Sequence, residues 1–139
     1  MELKLVTNTS RNAVIELTES GKYYTEKQYE IFVNDEKFMD SDKVITSLYG
    51  LTPDTEYKVS VIYDGKTIEP ITFKTDYEFV TLNVREFGAF GDGVHDDTNA
   101  IQCAIMACPK DSRVLVPEGV YKISSIFLKS DLTLELAKG

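Results

Sequence analysis

Asp92, His95, Asp96 and Asp97 stand within six consecutive positions. So dense a group of titratable side chains raises acid–base or metal chemistry first. Two carboxyl groups divide the roles of acid and base when burial or mutual repulsion separates their pKa values. A metal instead needs N, O or S ligands at suitable spacing. His95 is the one histidine, and neither Cys103 nor Cys108 accompanies it at ligand spacing, so a His-rich zinc site is excluded. The aspartates have a simpler use as acceptors for backbone N–H groups. One takes orphan amides at a helix start, a second favours the positive end of the helix dipole, and a third holds a glycine turn. That use is preferred here, with Asp97 as N-cap and His95 as a solvated loop residue.

Gly88, Gly91 and Gly93 precede the same segment and raise a phosphate loop as a second chemistry. Their spacing is G-x-x-G-x-G, no Lys-Ser/Thr follows, and Asp96 and Asp97 would repel an anion at that helix start. The glycines are expected to supply positive φ instead. No cofactor or metal is implied.

The elements that must position this loop follow it. Asp96-Asp97-Thr98 opens an amphipathic segment with Ile101, Ala104, Ile105 and Cys108 at i, i+3, i+4, i+7, which predicts a helix over 98–107. Pro109 ends it. Cys103 and Cys108 would lie about 140° apart round that helix, too far for a disulfide, and are expected to be two buried small hydrophobes. Four short strands are expected next, at 113–116, 120–123, 126–128 and 132–136. Tight turns without hairpin signals between them suit the coils of a parallel β-helix.

Residues 1–76 have a different pattern. Short alternating runs cover 3–6, 13–17, 29–33, 38–39, 43–46, 58–63 and 67–75, with turn clusters at 8–12, 34–37 and 64–65. Close-spaced strands with no helical stretch predict a β-sandwich. Residues 77–80 read as a linker, and 81–139 as the second domain.

The chain has 139 residues, with Lys+Arg 15 against Asp+Glu 23 and a net charge of −8. Without clustered cations, nucleic acid is an unsuitable partner. No apolar run approaches the roughly 18 residues of a membrane span. The first residues lack an apolar leader segment, so the expected location is cytoplasmic, or secreted with the leader removed. Residues 1–80 carry nine basic and fifteen acidic side chains, which makes the sandwich a spacer or cleft wall rather than an anchor for a polyanion. Tyr23, Tyr24, Tyr29, Tyr49 and Tyr63 would suit a sugar-stacking face, but half-buried strand pairing is the preferred use of these rings.

Leu51-x-Pro53-x-Thr55-x-Tyr57 resembles the tyrosine corner of fibronectin type III domains, in which the ring of Tyr57 is buried and its hydroxyl meets backbone upstream. The family's core Trp is absent, since the chain has none, and Leu17 is expected in its place. Phe87-Gly88-Ala89-x-Gly91-Asp92-Gly93-x-x-Asp96-Asp97-Thr98-x-Ala100-Ile101-Gln102 resembles the opening of the pectin-lyase-like right-handed parallel β-helix. Val114-Leu115-Val116-Pro117-x-Gly119-x-Tyr121 is similar to its first coil. Phe127-Leu128-Lys129-Ser130-Asp131-Leu132-Thr133-Leu134 is similar to the next coil in polygalacturonases, glycoside hydrolase family 28.

The resemblance implies an all-β chain: a fibronectin type III-like sandwich, then the first one or two coils of a parallel β-helix capped by an N-terminal helix. It implies a parent glycosidase, exo-acting, that hydrolyses α-1,4-galacturonosyl bonds of pectin with inversion. The structural motif is Tyr57, Gly91, Asp92, Gly93, Asp96, Asp97 and Thr98. The family's Asn-Thr-Asp, Gly-His-Gly and Arg-Ile-Lys motifs are not in these residues, and Asp96-Asp97 matches the opening loop rather than the catalytic pair. No catalytic residue is therefore assigned, and the chain is expected to be inactive alone and to self-associate through an open β-helix end. The alternatives are a non-catalytic carbohydrate-binding or adhesion module, or another β-helix protein such as a phage tailspike.

Overall fold

The computed structural model describes residues 1–18 and 23–139. They divide into two compact units, Met1–Tyr77 and Glu78–Gly139.

In the first unit, β1 (Glu2–Asn8), β2 (Ala13–Thr18) and β5 (Ile45–Leu48) form one sheet in the order β1-β2-β5. The facing sheet has the order β4-β3-β6-β7, from β3 (Tyr24–Val33), β4 (Glu36–Lys43), β6 (Glu56–Tyr63) and β7 (Lys66–Lys74). All of its pairings are antiparallel. This is the expected fibronectin type III-like arrangement. Side chains alternate across the pleat, so Ala13, Ile15 and Leu17 are buried while Val14 and Glu16 are less so. Leu3, Ile15, Leu17, Tyr29, Ile31, Leu48, Val59 and Val61 make the core. Leu17 is fully buried, as its assigned place requires.

One hairpin loop is shorter than the sequence suggests, and a second is where it was expected. Val33 pairs with Glu36, so the loop is Asn34-Asp35 alone, with φ of 51° and 67°. Asp64-Gly65 repeats the pattern between Tyr63 and Lys66, with φ of 50° and 77°. Two consecutive positive φ values are the signature of a type I′ turn, whose twist matches the flanking strands. Glu36 and Lys37, expected in the loop, are strand residues. The strand expected at 43–46 is instead a crossing: Lys43 ends β4, Val44 is buried, and Ile45 begins β5 in the other sheet. Tyr29 fixes that crossing, because its hydroxyl donates to the carbonyl of Lys43 at 2.6 Å.

The second unit is built from parallel pairs. Its strands are β8 (Thr81–Asn83), β9 (Asp92–Asp96), β10 (Ser112–Val116), β11 (Val120–Lys122) and β12 (Leu132–Leu136), with α1 at Thr98–Ala107. One sheet has the order β12-β10-β8 and the other pairs β11 with β9. Successive rungs stack in register: Arg113 lies beside Thr81 and also beside Thr133. The helix is where the 3.6-residue period placed it, and it buries Ile101, Ala104 and Ile105 against Val84, Val114 and Val116. Cys108 is buried but Cys103 is exposed, against expectation. Position 103 points away from the Ile101–Ala104–Ile105 stripe.

Two strand expectations fail here. β9 stands where a loop is expected, and every one of its residues is exposed. It exists through pairing with β11, Asp92 beside Val120 and Asp96 beside Lys122. Residues 126–128 form no strand. Gln102 of α1 binds them instead, accepting from the Phe127 amide at 2.7 Å and donating to its carbonyl at 3.0 Å.

Arg113 joins three rungs. Its guanidinium lies 3.4 Å from Glu78 and 2.6 Å from Glu135, and also donates to the Thr81 hydroxyl. The three charged side chains are only 12%, 7% and 18% exposed in the order Arg113, Glu78, Glu135. Removing one partner of a buried ion pair strands the other charge. Arg113→Met is expected to cost the second unit about 3–5 kcal/mol. Amide exchange in β10 and β12 checks this, with Val59 and Val61 of the sandwich as unaffected references; unchanged protection in β10 would refute it.

Candidate functional site

The loop between β8 and α1 carries the candidate residues, and a 3₁₀ turn, Val84–Phe87, begins it. Asn83 caps the turn by accepting from the Arg85 amide at 3.0 Å, and Gly88 ends it at φ 100°. Asp97 then stands at the N-cap of α1, where its carbonyl accepts the Ile101 amide. Its side chain does not cap the helix. Instead its two carboxylate oxygens accept from the amides of Phe90, at 2.8 Å, and Gly91, at 3.0 Å. The position was read correctly and the bonding was not. Asp97 is 1% exposed, and a carboxylate so buried requires partners of this kind.

Asp96 supplies the bond expected of Asp97. Its Oδ1 accepts from the Thr98 amide at 3.0 Å. The Thr98 hydroxyl, then the Thr98 amide, hold the Asp96 carboxyl below its ordinary pKa. Thr98 in turn accepts from the Ser124 amide at 2.9 Å, which ties the helix start to the following coil.

Asp92 is the aspartate that holds the glycine turn. Its Oδ1 accepts from the amides of Val94 and His95, and its Oδ2 lies 2.6 Å from His95 Nδ1. The His95 amide, the Val94 amide and the His95 ring together lower its pKa to about 2. His95 is exposed but not free: its ring stacks on Phe90 with centroids 3.8 Å apart.

Gly91 and Gly93 adopt φ of 64° and 72°. At Gly91 a Cβ would meet Arg85 Nη2 at 2.8 Å and the Tyr121 ring at 3.0 Å, so a side chain there would be strained at this φ and would displace the guanidinium. Arg85 was missed by sequence reasoning, since nothing in its spacing singles it out. Its guanidinium donates to the carbonyls of Phe90 and Glu118 at 2.9 and 2.8 Å and lies over Tyr121. Gln102 had a signal, as the last residue of the opening motif, but its partner lay 25 positions away.

Tyr57 belongs to the sandwich. Its hydroxyl accepts from the Thr52 amide at 2.8 Å, as a tyrosine corner requires, though the ring is half-buried against Phe73 rather than enclosed. Of the other tyrosines, Tyr29 is core and Tyr63 packs on it, whereas Tyr23, Tyr24 and Tyr49 are exposed, against the expected pairing. Among the described residues no three His, Cys, Asp or Glu gather into a metal-binding group. The carboxylates of the loop are occupied by backbone, so the arrangement orders a chain rather than moves protons.

Residues 81–134 match the family model for rhamnogalacturonase A/epimerase, pectate lyase-like proteins. The expected likeness to polygalacturonases holds. The chain is 42% identical over 96 residues to an exo-poly-α-D-galacturonosidase of Dickeya chrysanthemi, covering 65% of this chain and 16% of that protein. It is 38% identical over 101 residues to the plasmin and fibronectin-binding protein A of Streptococcus pneumoniae, covering 70% of this chain and 13% of that protein. The solved family 28 exopolygalacturonase of Yersinia enterocolitica matches 97% of this chain and is covered to 30%, with 27% identity and a TM-score of 0.63. The chain thus spans 13–16% of the length of these curated relatives.

The bonds to Asp92 give its titration a definite sign. A carboxyl whose folded pKa, about 2, lies below its ordinary value of 3.8 stabilises the turn above that ordinary value. The contribution is lost as pH falls through the folded pKa. A carboxyl-carbon NMR titration is expected to place the Asp92 midpoint near 2, with the amide shifts of Val94 and His95 moving together. A midpoint near 4, at the ordinary carboxylate value, would show that these bonds do not persist in solution.

Proposed function

We propose that this chain is the N-terminal portion of a polygalacturonase-like glycoside hydrolase that cleaves α-1,4-galacturonosyl bonds of pectin from a chain end, with inversion. The observation that carries this reading is the breadth of one match. Nearly the whole chain, sandwich and coils in the same order, follows the family 28 exopolygalacturonase, at 97% coverage. The 42% identical exo-poly-α-D-galacturonosidase supports exo action and the pectic substrate.

The residues present would not complete the reaction. Inverting hydrolysis needs a protonated carboxyl group of raised pKa, and a second carboxylate about 6.5–9.5 Å away to activate water. Asp92 and Asp96 are shifted the opposite way, and Asp97 is spent on two amides. The purified 139-residue chain is therefore expected to release no reducing ends from polygalacturonate above a buffer blank. Turnover that survives rigorous purification would overturn the claim of inactivity. Reading the gene past Gly139 tests the parent's activity, where Asn-Thr-Asp and Gly-His-Gly motifs are expected.

The second reading is a binding or adhesion module. One observation favours it, the 38% identity to a protein named for binding plasmin and fibronectin. The longer span of the polygalacturonase match, and its order of units, keep the hydrolase first.

Self-association is proposed as a property of the chain taken alone. In its sheet β12 pairs with β10 and stands at the edge among the described strands. Leu136 of β12 is exposed, as are Phe127 and Leu128 of the preceding segment. Such an edge with uncovered apolar side chains is a template for another chain. Sedimentation velocity is expected to show mass rising with concentration; a monomer at every concentration, with strong amide protection in β12, would refute it. No helix among the described residues is long and apolar enough to cross a membrane.

A further inference from the structure

The crossing between the two sheets of the sandwich makes a second surface. Tyr24, the first residue of β3, pairs across to Lys43, and the Val44 amide donates to the Tyr23 carbonyl at 2.9 Å. Val44 is buried there, so its neighbours Lys43 and Ile45 are turned out on either side of it. Tyr23, Tyr24, Lys43 and Ile45 line a hollow of about 310 Å³. Tyr23 is 78% exposed, Tyr24 62% and Ile45 53%. Leaving these three side chains in water forgoes burial at roughly 25 cal/mol per Å² of apolar surface.

Among the described residues that line the hollow, the one charged group is a cation. Lys4, Lys27, Lys37, Lys58 and Lys74 each hold a carboxylate, none farther than 3.8 Å. Among the described residues Lys43 holds none. Its neighbour Asp42 alternates to the other face of β4. Tyrosine faces carry a negative quadrupole that suits the C–H face of a sugar ring, and a lysine ammonium is a point charge for a carboxylate.

We propose that this hollow binds a carboxylated sugar unit of a pectic chain, with the ring against Tyr23 or Tyr24 and the uronate carboxylate at Lys43. The proposal names a second contact for the substrate class and rests on the pectic reading above. The acidic excess of residues 1–80 opposes it in part: charges farther than about 8 Å are screened at physiological ionic strength, but Glu16 pairs beside Ile45 and Lys43 must outweigh it. The larger hollow of about 570 Å³ beside Tyr57 and Phe73 is less suited. Its lysines, Lys58 and Lys74, are already paired with Asp35 and Asp54, and its two rings pack on each other.

The test is an NMR titration of the whole 139-residue chain with trigalacturonate. Amide shifts are expected at Tyr23, Tyr24, Val44 and Ile45, with Tyr29 and Ile31 unmoved as reporters of an intact core. Tyr24→Ala and Lys43→Ala should each weaken binding at least about tenfold, the equivalent of about 1.4 kcal/mol, and Lys43→Arg should retain it. A neutral galactotriose should bind far more weakly than trigalacturonate. No shift at these positions, shifts confined to residues 78–139, equal binding of the neutral sugar, or indifference to either alanine would overturn the proposal. The hydrolase reading is untouched by such failures, because it stands on the activity of the longer chain.

Discussion

The second unit depends on one buried carboxylate. Asp97 sits at the start of α1 with its side chain turned back onto the Phe90 and Gly91 amides, while its own amide donates to the Lys122 carbonyl. One residue thus joins the glycine loop, the helix and the second rung. Burying an unpaired carboxylate is prohibitively costly, and two amides beside a helix N-terminus offset much of that cost. Because a carboxylate presents two oxygens in fixed geometry, it also sets how far the loop stands from the helix. Arg85 continues the same logic from the other side, holding Phe90 and Glu118 carbonyls while lying over Tyr121. The close approach this forces at Gly91 means that a side chain there would push the Arg85 guanidinium aside.

The two units solve the backbone-pairing problem differently. In the sandwich two of the antiparallel pairs, β3 with β4 and β6 with β7, have their register set locally by the two-residue turns Asn34-Asp35 and Asp64-Gly65. The second unit pairs strands in parallel, and its register must be set by contacts between rungs. Arg113, flanked by Glu78 and Glu135, does this with charge, since sliding β10 past β12 would leave buried carboxylates unpaired. Gln102 does it with an amide, matching both polar groups of Phe127 from α1. Side-chain bonding of that backbone explains why residues 126–128, apolar enough for a strand, do not join a ladder.

Much of the fold was legible because apolar periodicity is a local signal. Ile101, Ala104, Ile105 and Cys108 gave the helix its span, and the alternation around Ile15 and Leu17 gave the sandwich its inner face. What was hidden is what depends on distant partners. β9 is exposed along its whole length and carries no pattern of its own. Cys103 looked like its neighbour Cys108, but only the direction of the buried stripe separates them. The motif from Gly91 to Thr98 was visible as a group of acceptors, yet which amide each carboxylate takes is a matter of three-dimensional reach. Arg85 carried no signal, since its partners at Phe90 and Glu118 meet only in the folded chain.

The distribution of free and satisfied polar groups separates scaffold from surface. In the loop before α1 each aspartate accepts from backbone amides, and those bonds fix conformation at the expense of proton transfer. Asp92 and Asp96, whose carboxyls these bonds hold below their ordinary pKa, are poor general acids near neutrality. In the sandwich the relation reverses at the β4–β5 crossing. There Val44 is buried and bonded, whereas the adjoining Tyr24, Lys43 and Ile45 face outward. Folding needs the first and has no use for the others, so the outward group is where selection for an external ligand would act.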